Sequence, residues 1–391
     1  VSNRSTPQRP AEIRALSGAR AFPPLVLVLF HFCEGHGYRG NFWFDALVAK
    51  GYLWVEFFFA LSGFILVHVY GERVREFWRG RAFLPFVQAR LARLYPLHLT
   101  MLFVILGLVV GLRALAAAGG YLSIYDQPYP PMNTLPSFIA NLFLVQAWNM
   151  FHYLSWNGAS WFVSVEFLLC LLFPLYLIWA KGGVVRALII IAVGASVLAA
   201  MSNYSGHGLD ITYHNGIFRG MAGFGIGVGL AMLFRIVKAW GLPPLPEGLH
   251  SLAQIALLLL LLDGIYRTDW AHRPADIWTV LPMDAFVFLL AFDRGIVARA
   301  LQTRMPQKLG EWSYAIYMGQ TAWLQLIRFL EQRVYPPADT MILGWRWVDF
   351  IWWLEPLALL CVCIAWGALL AIAIEHPANA WLRRRIVPAK A

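Results

Sequence analysis

The chain has 391 residues, of which 60% are hydrophobic and only 13% charged, with a mean hydropathy of +0.60 and a formal net charge of +10. This composition lies far outside the range of soluble globular domains and excludes them. The basic excess therefore calls for a membrane explanation before a nucleic-acid one.

Apolar stretches long enough to cross a bilayer fall near 15–33, 51–70, 95–112, 159–180, 184–201, 216–234, 250–264, 276–292, 311–330 and 349–374. They predict an all-α polytopic bundle of about ten transmembrane helices. The bundle forms one domain over 15–374, between an N-terminal segment 1–14 and a basic tail 375–391. Lysines and arginines gather at both ends of the chain and in every second loop, which places both termini in the cytoplasm. The first 14 residues lack a cleavable-signal pattern, so the first helix reads as a retained anchor. "LPSFIANLFLVQAWNM", 135–150, is apolar but short, and it carries Asn141, Gln146 and Asn149. An eleventh crossing there would invert every later loop, so it reads as an outer interfacial or re-entrant segment. Cys33, Cys170, Cys361 and Cys363 lie in apolar runs and read as small hydrophobes.

The first predicted helix, "RALSGARAFPPLVLVLFHF", contains Arg20 and His31. Arg20 and Arg219 are basic residues inside apolar spans, where an unpaired charge costs about 2.5–3.5 kcal/mol or more. Such residues line a polar cavity or, for Arg20, snorkel to the interface. In an unbroken helix Arg20 and His31 share a face roughly 16 Å apart, whereas Pro23 and Pro24 favour a kink or a fresh start. The second helix, "GYLWVEFFFALSGFILVHVY", places Glu56 in the outer half at the depth of His31. The fourth, "GASWFVSVEFLLCLLFP", does the same for Glu166. A histidine between two carboxylates is a general-base arrangement, and the alternative is a structural network between helices. Asp45, Asp210, Asp263 and Asp269 fall in outer loops as candidate sugar contacts or simply solvated groups. His207 and His214 lack metal-ligand spacing, and no metal is expected. The competing class is a proton-coupled transporter of a small polar solute, but the inverted repeats it calls for are not evident.

Seven stretches, in order, resemble the acyltransferase 3 family of integral membrane acyltransferases. "LSGARA" with Arg20-x10-His31 is similar to the family's first-helix motif, with Ser17 in place of its usual Asp. "WVEFFFALSGFIL" resembles its second-helix motif, with Glu56 replacing Asp, and "RLARLYPLH" matches its Arg-x-x-Arg-x-x-Pro signature at Arg90, Arg93 and Pro96. "SWFVSVEFLLCLLFP", "FRGMAGFGIGVG", "LGEWSYAIYMGQ" and "AIEHPANAWLRR" complete the series.

The resemblance implies transfer of an acyl group, usually acetyl from acetyl-CoA, to a hydroxyl of a carbohydrate or lipid-linked glycan. It implies a multi-pass protein of the plasma membrane, here a bacterial inner membrane. It assigns His31 to catalysis with Glu166 and Glu56 orienting it, and Arg90, Arg93, Arg20 and Arg219 to the CoA side. Trp161, Ser164 and Gln320 are the corresponding acceptor-side candidates. Gln320 stands where many relatives carry histidine and cannot act as a base. Arg73, Arg75, Arg79 and Arg81 are assigned the ordinary positive-inside role. Partners implied are the glycan acceptor and separate extracytoplasmic or glycan-assembly proteins, with no nucleic acid.

Overall fold

The structure, a computed structural model, describes residues 10–35, 45–119, 132–241, 245–267, 275–334, 340–342 and 345–386. The described part is a bundle of helices, with one short antiparallel pairing of Met341–Ile342 and Trp345–Arg346.

The expected first span is broken. α1 (Arg14–Ala19) ends at Arg20, and α2 (Phe22–Gly35) starts afresh with Pro23 and Pro24 in its first turn, where a missing N–H costs nothing. A short α3 (Asp45–Ala49) and a 3-10 turn, Gly51–Leu53, lead into α4 (Trp54–Tyr70). After the short α5 (Val74–Trp78), α6 (Phe83–Gly119) extends well past the predicted 95–112 in both directions. Its 37 residues measure roughly 55 Å at 1.5 Å per residue, against a hydrocarbon core of about 30 Å. The surplus carries Arg90 beyond what a minimal span requires. Pro96 lies inside this helix, and the Thr100 hydroxyl donates to the Pro96 carbonyl.

α7 (Leu135–Leu142) is the helical part of the expected re-entrant segment. α8 (Ser160–Trp179), α9 (Val184–Tyr204), α10 (Gly216–Ala239), α11 (Glu247–Arg267) and α12 (Ile277–Leu290) follow. The short α13 (Ile296–Leu301) precedes α14 (Arg304–Val334) and α15 (Trp347–Leu370). A π turn, Ala371–Glu375, then joins α15 to the amphipathic α16 (His376–Ile386). Eight helical segments among the described residues are long and apolar enough to cross a membrane, and α12 is a shorter apolar helix. α14 stands where the ninth crossing was predicted. The chain is an all-α, multi-pass integral membrane protein.

α10 is the centre of the packing and lies mainly against α4 and α9. Its glycines permit this closeness. A Cβ on Gly227 would run into the Ala60 carbonyl of α4, and one on Gly63 of α4 would run into the Phe224 carbonyl of α10. Small residues at such crossings are how membrane helices gain contact when lipid is as apolar as leucine. The N- and C-terminal elements dock on the same bundle, α1 against α14 and α16 against α6. They bring Pro10 and Arg383 to one end, beside the loops after α4, α8 and α10.

Candidate active site

Three arginines converge inside the bundle. Arg20 from the end of α1 and Arg90 and Arg93 from α6 line an inner cavity of about 90 Å³ with Glu166 of α8, Ser62 of α4, and Tyr314 and Tyr317 of α14. The spacing of Arg90 and Arg93 places them on one face of α6, as the sequence predicts. Ser62 donates to Glu166 at 3.2 Å, and the Tyr314 hydroxyl donates to the Leu94 carbonyl at 2.7 Å, tying α14 to the arginine-bearing turn of α6. Arg20 and Arg93 make no hydrogen bond or ion pair among the described residues. In the lining of this cavity three guanidiniums face one carboxylate, Glu166, while Glu375 approaches Arg20 and Arg93 from the side of α16, so positive charge is still in excess where an anionic ligand would enter.

The cavity opens toward the basic end. Ile65, Arg90 and Arg93 line both it and a larger pocket of about 1270 Å³, whose wall includes Arg73, Lys181, Arg235 and Lys238. That volume exceeds the roughly 300–1,000 Å³ of ordinary small-molecule pockets. Two ion pairs stand on its wall, Arg235 with Glu72 and Arg73 with Glu76. A third pocket of about 370 Å³ reaches Arg20 and Arg93 from beside α16 and is lined by Glu12, Gln307, Glu311, Glu375 and His376.

The other predicted residues lie elsewhere. Glu56 does not orient His31, because it is buried against Arg219, with Nε donating to Oε1 at 2.5 Å. The remaining Arg219 donors go to the Ile211 carbonyl at 2.8 Å and the Tyr52 carbonyl at 2.7 Å. Arg219 is fully buried and absent from the donor-side walls, so its guanidinium is a structural clasp between α4, α10 and the 205–215 loop. Trp161 is 5% exposed and covers that clasp, its ring centroid 5.5 Å from the Arg219 guanidinium and its edge against Phe59. The ring is therefore already engaged by the guanidinium. Ser164 is consumed by the re-entrant segment, donating to the Leu144 carbonyl and accepting from the Ala147 N–H. Gln320 is buried, with its amide donating to the Tyr317 carbonyl.

His31 lies towards the far end of α2, outside the lining of the arginine cavity. Its side chain is 31% exposed, and Nδ1 is 3.8 Å from Glu34, the carboxylate one turn on. Glu166, expected beside it, instead serves as the counter-charge within the arginine cluster. Of the outer aspartates, Asp263 pairs with Arg267, while Asp269 and the Asp45 side chain lie outside the described residues.

Sequence reasoning missed a second buried pair. Lys50 donates to Asp276 at 2.8 Å, and both are 2% or less exposed. The Tyr52 hydroxyl and the Leu209 N–H also donate to Asp276. Because Tyr52 contributes its hydroxyl to this pair and its carbonyl to Arg219, the two networks fix the 3-10 turn beneath α2. Phe30 packs on that turn, with its ring edge-on to Tyr52 and its side chain where a Gly51 Cβ would be. Nothing in the local sequence marks this pair, since the partners are 226 residues apart. The re-entrant segment and the loop that follows it are also closely held. Asn157 donates to the Met318 carbonyl and accepts from Thr321, and Leu144, Asn149 and Trp156 all take positive φ.

The acyltransferase-domain family model matches residues 13–372. Over 407 aligned residues the chain is 25% identical to "Acyltransferase MdmB" of Streptomyces mycarofaciens, covering 97% of this chain and 95% of that protein. It is 39% identical over 93 residues to "Protein 2 in picA locus" of Rhizobium radiobacter, covering 24% of this chain and 44% of that protein. No solved structure matches.

Proposed function

Because the chain belongs to the acyltransferase 3 family and is a membrane acyltransferase, we propose that it moves an acetyl group from acetyl-CoA to a hydroxyl of a carbohydrate or lipid-linked glycan. The membrane assigned is the bacterial inner membrane, with the basic end in the cytoplasm. The observation that carries the donor assignment is the cluster of Arg20, Arg90 and Arg93, opening through the large basic pocket. Guanidinium forks match phosphate oxygens in geometry and charge. The diphosphate of CoA supplies the negative charge that this lining lacks, and the aromatic and aliphatic wall of Phe58, Leu61, Leu66 and Phe162 suits the pantetheine arm.

The reaction needs a base for the acceptor hydroxyl. Glu166 is committed to the arginines as their counter-charge. We assign the base to His31, which lies farther along the bundle from Arg20 and keeps its ring accessible. His31 takes the hydroxyl proton as the oxygen attacks the thioester carbonyl, the C–S bond breaks, and CoA leaves as its thiolate and is reprotonated. Donor and base at different depths fit transfer across the membrane, with acetyl-CoA supplied at the basic end.

The test is acetyl-CoA binding to purified protein. Arg90→Gln with Arg93→Gln should weaken it by about a hundredfold, the loss expected for two charge-assisted phosphate contacts. Unchanged affinity would remove the cluster from donor binding.

A further inference from the structure

The large basic pocket has two tiers. Its inner tier, Arg90 and Arg93, is shared with the cavity. Its outer tier consists of Lys181 just after α8 and Arg235 and Lys238 in the last turns of α10. These three line the large pocket but not the cavity, so they lie on the solvent side of the inner pair. Their simplest role would be to complement the helix C-termini and the positive-inside pattern. Two observations assign more. Lys181 and Lys238 have no carboxylate partner among the described residues, and Lys238 lies 4.7 Å over the Phe234 ring, inside the same pocket wall. Arg235 reaches over Gly71, whose missing side chain leaves room for the guanidinium, to pair with Glu72, which is 80% exposed. A carboxylate so exposed is easily displaced by a more highly charged anion.

We propose that Lys181, Arg235 and Lys238 form a second phosphate site, for the 3′-phosphate on the nucleotide end of CoA, with Glu72 holding Arg235 in place until the phosphate arrives. This rests on the donor assignment above. The diphosphate, next to the pantetheine arm, meets the inner arginines, and the 3′-phosphate, beyond the ribose, meets the outer tier. The site selects CoA against thioester carriers that share the pantetheine arm but lack that phosphate. Glu72 sharpens the selection, because only a phosphate carrying more charge than a carboxylate releases Arg235 from it.

The probe is dephospho-CoA, which differs from CoA by this phosphate alone. In titrations of purified protein at fixed ionic strength, the unaltered chain should bind CoA about tenfold more tightly than dephospho-CoA. In the Lys181→Gln, Arg235→Gln, Lys238→Gln variant that preference should vanish, through loss of CoA affinity with dephospho-CoA affinity unchanged. Glu72→Gln should move the other way, tightening CoA by about threefold while leaving dephospho-CoA alone, a gain that a damaged fold cannot imitate. Equal affinities in the unaltered chain, or equal losses for both ligands in the triple variant, would overturn the second site and leave the donor assignment standing. Failure of the unaltered chain to bind either ligand would overturn both.

Discussion

The clasp between Glu56 and Arg219 makes the most demanding prediction, because the sequence associates both residues with the chemistry and the structure takes both away from it. Replacing either one by methionine leaves the other as an unpaired buried charge, at a cost of about 3–5 kcal/mol. Arg219→Met also orphans the Ile211 and Tyr52 carbonyls, about 1–3 kcal/mol for each, so it should be the more damaging of the two. The double variant removes both charges together and should be more stable than the sum of the single losses by several kcal/mol. Glu56→Gln keeps an acceptor for Arg219 Nε but not the charge, and should fall between the unaltered chain and Glu56→Met. The assay is unfolding in one detergent at one pH, followed by circular dichroism across the four members of the cycle and the glutamine variant. Acetyl-CoA affinity, measured on whatever fraction remains folded, should not change. Single variants within about 1 kcal/mol of the unaltered chain, or strict additivity, would refute the clasp. Loss of donor affinity without loss of stability would return Arg219 to the donor channel.

Separate readouts distinguish the cavity from the base. His31→Ala should abolish acyl transfer with acetyl-CoA binding retained, and wild-type turnover would take His31 out of the chemistry. Glu166→Gln removes the counter-charge of the arginine cluster and should leave acetyl-CoA bound at least as tightly. Weaker donor binding in that variant would contradict the counter-charge role. Gly227→Leu, which drives a side chain into the Ala60 carbonyl, should cost about 1–3 kcal/mol or more, whereas Gly107→Leu, with nothing near its Cβ, should be neutral in the same unfolding assay.

The fold was legible wherever a local signal decided it. Hydrophobic runs predicted an all-α bundle, and Pro23 with Pro24 marked the break between α1 and α2. The limits of α6 were not legible, because Arg90 and Arg93 interrupt the apolar run without interrupting the helix. In the site, Arg20, Arg90 and Arg93 could be grouped because a charge inside a span and an arginine pair one turn apart are both readable in sequence. Glu56 and Glu166 looked equivalent, each a carboxylate in the outer half of its helix. What separates them is the neighbour that α10 presents, Arg219 for Glu56, and no spacing within either helix encodes that. The surroundings of Trp161 and Ser164 were not legible for a related reason. Their side chains suit a ligand equally well, but the first covers an ion pair and the second holds the backbone of the re-entrant segment.

The most direct test of the account uses sealed vesicles of known orientation with acetyl-labelled CoA supplied to one face. Donor at the face that carries the large basic pocket should be consumed and its label should appear in glycan or lipid-linked material, and Arg90→Gln with Arg93→Gln should suppress this at donor concentrations that saturate the unaltered chain. Label incorporated only when acetyl-CoA is supplied to the opposite face would contradict the placement of the donor site and, with it, the central claim.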